Sequence, residues 1–177
     1  MMNSRSGLKT SGAGRWARRS GGGFSLIEVL VVIAIVLIVA AIAIPSLLRS
    51  KIAANEAAAV HGLRAITTVQ VTYDFTYQIG YAAVLPVLGP PPSGSQASSA
   101  RADLIDAVLA STIRNGYSFV YVAIDNAGNG KPDQFTVNAN PISPGQTGDR
   151  YFYVDQTNVI RWKLGGPADA NSTPVPQ

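Results

Sequence analysis

Gly21–Ile44 reads GGGFSLIEVLVVIAIVLIVAAIAI, and from Phe24 onward only Ser25 and Glu28 interrupt 21 otherwise apolar residues. At the α-helical rise such a run is about 31 Å long, close to the roughly 30 Å hydrocarbon core of a bilayer. A helix apolar on every side has no place on the surface of a domain this small, so the run reads as a membrane span. Glu28 is the anomaly, because an ionisable side chain inside such a span costs several kcal/mol, of order 3, unless it finds a partner. The run is preceded by Arg5, Lys9, Arg15, Arg18 and Arg19, with no acidic residue among them, and then by three glycines.

Five of the 14 basic residues lie in that leader, so the formal net charge of +4 misleads when read whole. Without the leader, nine basic side chains face ten acidic ones, a net −1. No basic stripe for nucleic acid is expected from such a balance. The same charges orient the span. Five cations precede it and only Arg49 and Lys51 follow closely, which places the N-terminus in the cytoplasm and exports the body. The chain has no cysteine, so no disulfide staples that body even in an oxidising compartment.

Gly23-Phe24-Ser25-Leu26-Ile27-Glu28 resembles the cleavage and methylation site of type IV pilins and type II secretion pseudopilins. The resemblance covers about residues 19–77 and extends beyond them only as a general layout. It implies cutting after Gly23 by a prepilin peptidase, N-methylation of Phe24, and use of Glu28 in filament assembly. It also implies a kink at Pro45. The physics runs alongside. Cleavage would create an α-amino group, mostly cationic at neutral pH. A neighbouring helix shifted one step along a filament would offer Glu28 as its counter-charge, setting the axial register as a buried polar residue does in a coiled coil. The disulfide-bounded C-terminal loop common in pilins of this family is missing here.

Two other readings of the N-terminus compete. A secretory signal peptide is also basic and then apolar, and Ala41-Ile42-Ala43 mimics its cleavage site, but its apolar region is shorter and lacks a glutamate. A plain single-pass anchor accounts for neither the glycines nor Glu28.

The implied fold is α+β and pilin-like, a long N-terminal helix packed on a three- to four-stranded antiparallel sheet. Residues 1–23 form the cleaved leader, irregular in its first twenty. Residues 24–45 are the membrane and assembly half of the helix, and 46–78 its amphipathic half. Ala59, Leu63, Ile66, Tyr73 and Tyr77 recur there at helical steps, while Asn55, Glu56, Arg64 and Asp74 are expected on other faces. Gly80 and Pro86 end the helix. Residues 79–116 read as a connecting loop with Pro90-Pro91-Pro92, then a short helix over 101–111 and an Asn115-Gly116 turn. Residues 117–164 are the β head, with strands at 117–124, 135–137, 151–154 and 159–164. Residues 165–177 read as a loose tail.

No catalytic constellation emerges, and the chain reads as a non-enzyme without a cofactor. His61 stands alone, and Asp103 and Asp106, three apart on the expected short helix, read as a solvated face. Asp125–Asp133 has calcium-loop flavour but lacks the alternating carboxylates and closing glutamate, so it reads as a tight hairpin loop and no metal site is expected. Tyr73 and Tyr77 share a helix face and read as core rather than as an electron path with Phe75 and Tyr81.

The expected function is a structural subunit of a type IV pilus-like filament serving adhesion, twitching motility or DNA uptake. Its expected partners are prepilin peptidase, identical subunits, the pilus or secretion assembly machinery and the cytoplasmic membrane. The subunit waits as a single-pass protein in that membrane, then moves to a surface filament. The alternative is the major pseudopilin of a type II secretion system. From another class, an exported binding domain anchored by an uncut leader remains.

Overall fold

The computed structural model describes residues 23–176. The leader and the expectation of irregular chain over its first twenty residues lie outside them. Helix α1, Leu26–Tyr77, is 52 residues long and contains Pro45 in its interior. The chain divides into two compact units, one ending at Ala41 and the other running from Ile42 to the C-terminus.

In the first unit the helix starts where Ser25 presents its carbonyl to the N–H groups of Glu28 and Val29, at 3.0 and 3.2 Å. Glu28 lies in the first turn, where a carboxylate opposes the positive end of the helix dipole. The spacing Ser25-x-x-Glu28 is that of a capping box. Every large apolar residue of this unit's helix is exposed. The most apolar 18-residue window of α1 has mean hydropathy 3.3 and is unburied.

In the second unit one stripe of α1 is covered. Ala59, Leu63, Ile66 and Tyr73 are buried, at the three- and four-residue steps that bring side chains to one helix face. Tyr73 and Tyr77 pack with ring centroids 5.0 Å apart, as expected for core aromatics, whereas Phe75 points to solvent at 85% exposure. Gln78 (φ 55°) takes the left-handed conformation directly after the helix. Gly80 follows at φ 82°, and a Cβ there would meet the Pro132 carbonyl oxygen at 2.5 Å.

The sheet is an antiparallel meander of six strands in the order β1 to β6. They are β1 (Ile113–Arg114), β2 (Tyr117–Ile124), β3 (Gln134–Pro141), β4 (Arg150–Asp155), β5 (Arg161–Leu164) and β6 (Thr173–Pro174). Burial alternates along β3. Tyr117, Phe119, Phe135, Val137, Ala139, Phe152 and Val154 thus form one inner face, packed with the α1 stripe into a single core. The Asn115-Gly116 turn has positive φ at both residues, 48° and 74°, the conformation that a two-residue hairpin of native twist requires.

Four sequence expectations are corrected here. The sheet has six strands rather than three or four, because two-residue segments with no readable alternation pair along its two edges. The helix expected over 101–111 shrinks to α3, Ala107–Ala110, whose N-cap Asp106 accepts from the Leu109 N–H at 2.9 Å. Asp103 and Asp106 therefore share no helix face, and Asp103 sits at φ 55°. The 79–99 loop holds a further four-residue helix, α2 (Leu85–Leu88), with Leu85 and Leu88 buried. The tail is not loose. Residues Thr173–Pro174 pair with β5, the Val175 N–H donates to Ile160 O at 2.8 Å, and Ala168 is buried.

Candidate functional site

The residues singled out at the N-terminus are all accessible. Gly23 and Phe24 are exposed, Phe24 at 82%, and precede α1. Glu28 is exposed on the first turn, among the apolar side chains that follow it. Pro45 lies inside α1, just past the apolar run. The 24–44 stretch therefore presents a short irregular entry, one carboxylate, and an apolar helix surface with no partner among the described residues. Burying such a surface requires either lipid or other helices of the same kind.

In the second unit, side chains of α1 grip the sheet at separate points. Glu56 is buried, contrary to its expected place on a polar face. One of its oxygens accepts from the Asp149 and Arg150 N–H groups at 2.9 and 3.0 Å. The other accepts from Arg150 Nε at 2.7 Å and forms an ion pair with Nη2 at 2.6 Å. The guanidinium also lies 5.7 Å from the Phe152 ring centroid and 5.6 Å from that of Trp162. Asn55 Nδ2 donates to Thr147 O at 2.9 Å, one residue earlier on the helix. A buried charge is tolerated when paired and hydrogen-bonded on all sides, as Glu56 is. Its helical phase, three and seven residues before Ala59 and Leu63, is that of their face, while its charge argued for solvent.

The Tyr117 hydroxyl donates to Arg150 O at 2.8 Å, closing the same corner. Burial, and then the Glu56 carboxylate, push this phenol far above its ordinary range, so it serves as a fixed donor. One turn of sheet further on, Thr67 donates to Asn158 Oδ1 at 2.6 Å. Gln70 Oε1 accepts from the Ala82 N–H at 2.9 Å, and Tyr121 donates to Ala82 O at 2.5 Å. Where α1 ends, Asp74 accepts from Gly80 N at 3.0 Å and Tyr81 N donates to Pro132 O at 2.8 Å.

The Asp125–Asp133 loop closes on itself. Asp125 accepts from the Asn129 and Gly130 N–H groups, and Asp133 from Asn126. Its carboxylates are thus engaged with backbone, and no group of three or more His, Cys, Asp or Glu gathers for a metal among the described residues. His61 is exposed on α1.

Residues 18–44 match a family model described as the prokaryotic N-terminal methylation motif. No curated protein and no solved structure matches the chain. The motif marks substrates of prepilin peptidase that assemble into filaments, and together with the apolar helix it fits a membrane-anchored precursor.

Proposed function

We propose, taking as premise that this is a chain of the type IV prepilin kind, that it is the structural subunit of a type IV pilus-like surface filament. The observation that carries the reading is the pairing of the methylation motif with a helix whose apolar stretch is unburied among the described residues. The subunit is stored in the cytoplasmic membrane with its N-terminus inside. Prepilin peptidase cuts after Gly23 and methylates Phe24. The 24–44 helices then leave lipid and pack against one another, and Glu28 of each subunit meets the new amino group of a neighbour. In an apolar filament core either charge alone is strongly disfavoured, so the pair selects one axial register. Pro45 bends the helix where the packed half meets the head. No step needs a catalytic residue, and the chain acts as a building block rather than an enzyme.

Mass spectrometry of protein sheared from intact cells tests the reading. The expected N-terminal peptide begins at Phe24 and carries one added methyl group. A peptide that retains the basic leader, or begins at Ile44, removes it. The role of Glu28 is tested separately with Glu28→Ala, which is expected to be cleaved normally yet yield no filaments. Normal filaments from this variant would sink the register mechanism.

A further inference from the structure

Beyond the filament, the turn between β5 and β6 carries a group of residues that neither the core nor the proposed assembly uses. Residues 169–173 read Asp-Ala-Asn-Ser-Thr. Of the chain's asparagines, only Asn171 is followed two residues later by a serine or threonine, and the residue between them is not proline. That spacing is the acceptor pattern for an N-linked glycan on a surface loop of an exported protein. So short a pattern also arises by chance, and its placement in the fold decides.

Asn171 and Thr173 are both exposed, and no residue of 169–174 is buried. Asp169 holds the backbone of the turn. Its Oδ1 accepts from the Asn171 N–H at 2.9 Å and from the Ser172 hydroxyl at 3.1 Å. The Asp169 N–H donates to Ser172 Oγ at 3.0 Å. These bonds leave out the two groups that an acceptor must offer. Among the described residues, neither the Asn171 carboxamide nor the Thr173 hydroxyl is hydrogen-bonded. Thr173 lies on β6, a two-residue strand at the sheet edge that pairs with β5, so an enzyme reaches the segment from solvent without opening the core. Beside Asn171, Trp162, Lys163, Leu164 and Asp169 line a groove of about 440 Å³. It offers a sugar an aromatic ring for its C–H face, with a charged donor and acceptor for its hydroxyls.

We propose that Asn171 is a glycan acceptor, modified at the outer face of the cytoplasmic membrane by a transferase that uses a polyprenyl-pyrophosphate-linked oligosaccharide. Asn171 Nδ2 attacks the anomeric carbon of the donor. The new C–N bond replaces the anomeric C–O bond, and the polyprenyl pyrophosphate leaves with that electron pair. The proton given up by the amide nitrogen passes through the transferase and solvent to the leaving group. Thr173 is a positioning residue, its hydroxyl the handle by which the acceptor is held. A glycan at this turn covers the outer edge of β6, where free backbone groups invite pairing with another strand.

This inference rests on the proposed export of the head, so the test reads both ends of one sample. The full chain is isolated from the cells that produce it and digested with trypsin. The 164–177 peptide, in which Asn171 is the one asparagine, is analysed by mass spectrometry with electron-transfer fragmentation. A mass gain of whole sugar residues, localised to Asn171, is expected. Asn171→Gln and Thr173→Val should each lose the gain, whereas Thr173→Ser should keep it, an order that a merely structural Thr173 would not produce. The wild-type localisation stands whether or not a variant folds. Unmodified Asn171 in protein that begins at Phe24 overturns the glycan site and leaves the filament reading intact. A gain localised to Ser172 or Thr173 is O-linked and overturns it too. An unmodified peptide from protein that keeps its leader removes the export, and the glycan site with it.

Discussion

Two glutamates on one helix have opposite surroundings. Glu28 stands exposed among apolar side chains, with no ion-pair partner among the described residues. Glu56 is buried, accepts three hydrogen bonds from Asp149 and Arg150 at the entry to β4, and pairs with the Arg150 guanidinium. Removing the second should be costly, because its loss leaves two backbone N–H groups and a half-buried guanidinium without their acceptor. Glu56→Ala is expected to lower the unfolding free energy of the head by about 3 kcal/mol, measured by denaturant titration. Glu56→Gln, which keeps an acceptor, should lose less. A Glu56→Ala loss within the error of the titration would show that water replaces the carboxylate without penalty. The identity of Glu28 as a special residue was plain from its apolar neighbours alone. That of Glu56 was hidden, because its charge suggested solvent while its helical phase with Ala59 and Leu63 placed it inside. Only the position of Arg150, 94 residues later, reconciles the two.

Among the elements, α1 and β2 approach most closely where the helix carries a glycine. A Cβ at Gly62 would lie 2.9 Å from Phe119 Cζ, so the β2 ring rests directly on the helix backbone. Gly62→Val is expected to force the ring aside and destabilise the head by about 2 kcal/mol, seen as a lower denaturation midpoint with an unchanged slope. Unchanged stability would mean that the sheet slides to accept the extra atoms. The short helix α3 depends on its cap. The Leu109 N–H, followed by the Arg114 guanidinium, holds the Asp106 carboxyl below the usual carboxylate range. A lowered folded pKa means that the cap contributes fully above the ordinary carboxylate value of about 3.9, and its contribution is lost as pH falls through the lower folded value. Asp106→Ala should cost about 1 kcal/mol at neutral pH. Hydrogen exchange at Leu109 should show the same cap weakening in wild-type protein below that range. Equal exchange in both proteins at neutral pH would deny the cap a stabilising part. Strand β2 stood out in the sequence because Tyr117, Phe119 and Tyr121 alternate, and β4 because Tyr151, Phe152 and Tyr153 are residues that favour strands. Strands β1 and β6 did not, since two residues carry no period.

At the scale of the whole chain, the division at Ala41 separates a helix whose large apolar residues are exposed among the described residues from a unit with a core of its own. A fragment beginning at Ser46 is therefore expected to be soluble and monomeric, and to unfold in a single transition followed alike by far-ultraviolet circular dichroism and Trp162 fluorescence. Aggregation of that fragment, or two separate transitions, would show that the head needs the apolar half to fold. The apolar run, the motif at Gly23–Glu28 and the α+β order were determined by sequence alone. They rest on length, unbroken hydropathy and local spacing, which act between neighbours and need no fold to be read. Only the tertiary structure decided that Glu56 is buried, that Gly62 receives the Phe119 ring, that 101–111 is mostly not helix and that the C-terminal residues close the sheet edge. Each of these depends on a contact between residues far apart in the chain. At such separations burial and hydrogen bonding override the local preferences from which a sequence is read.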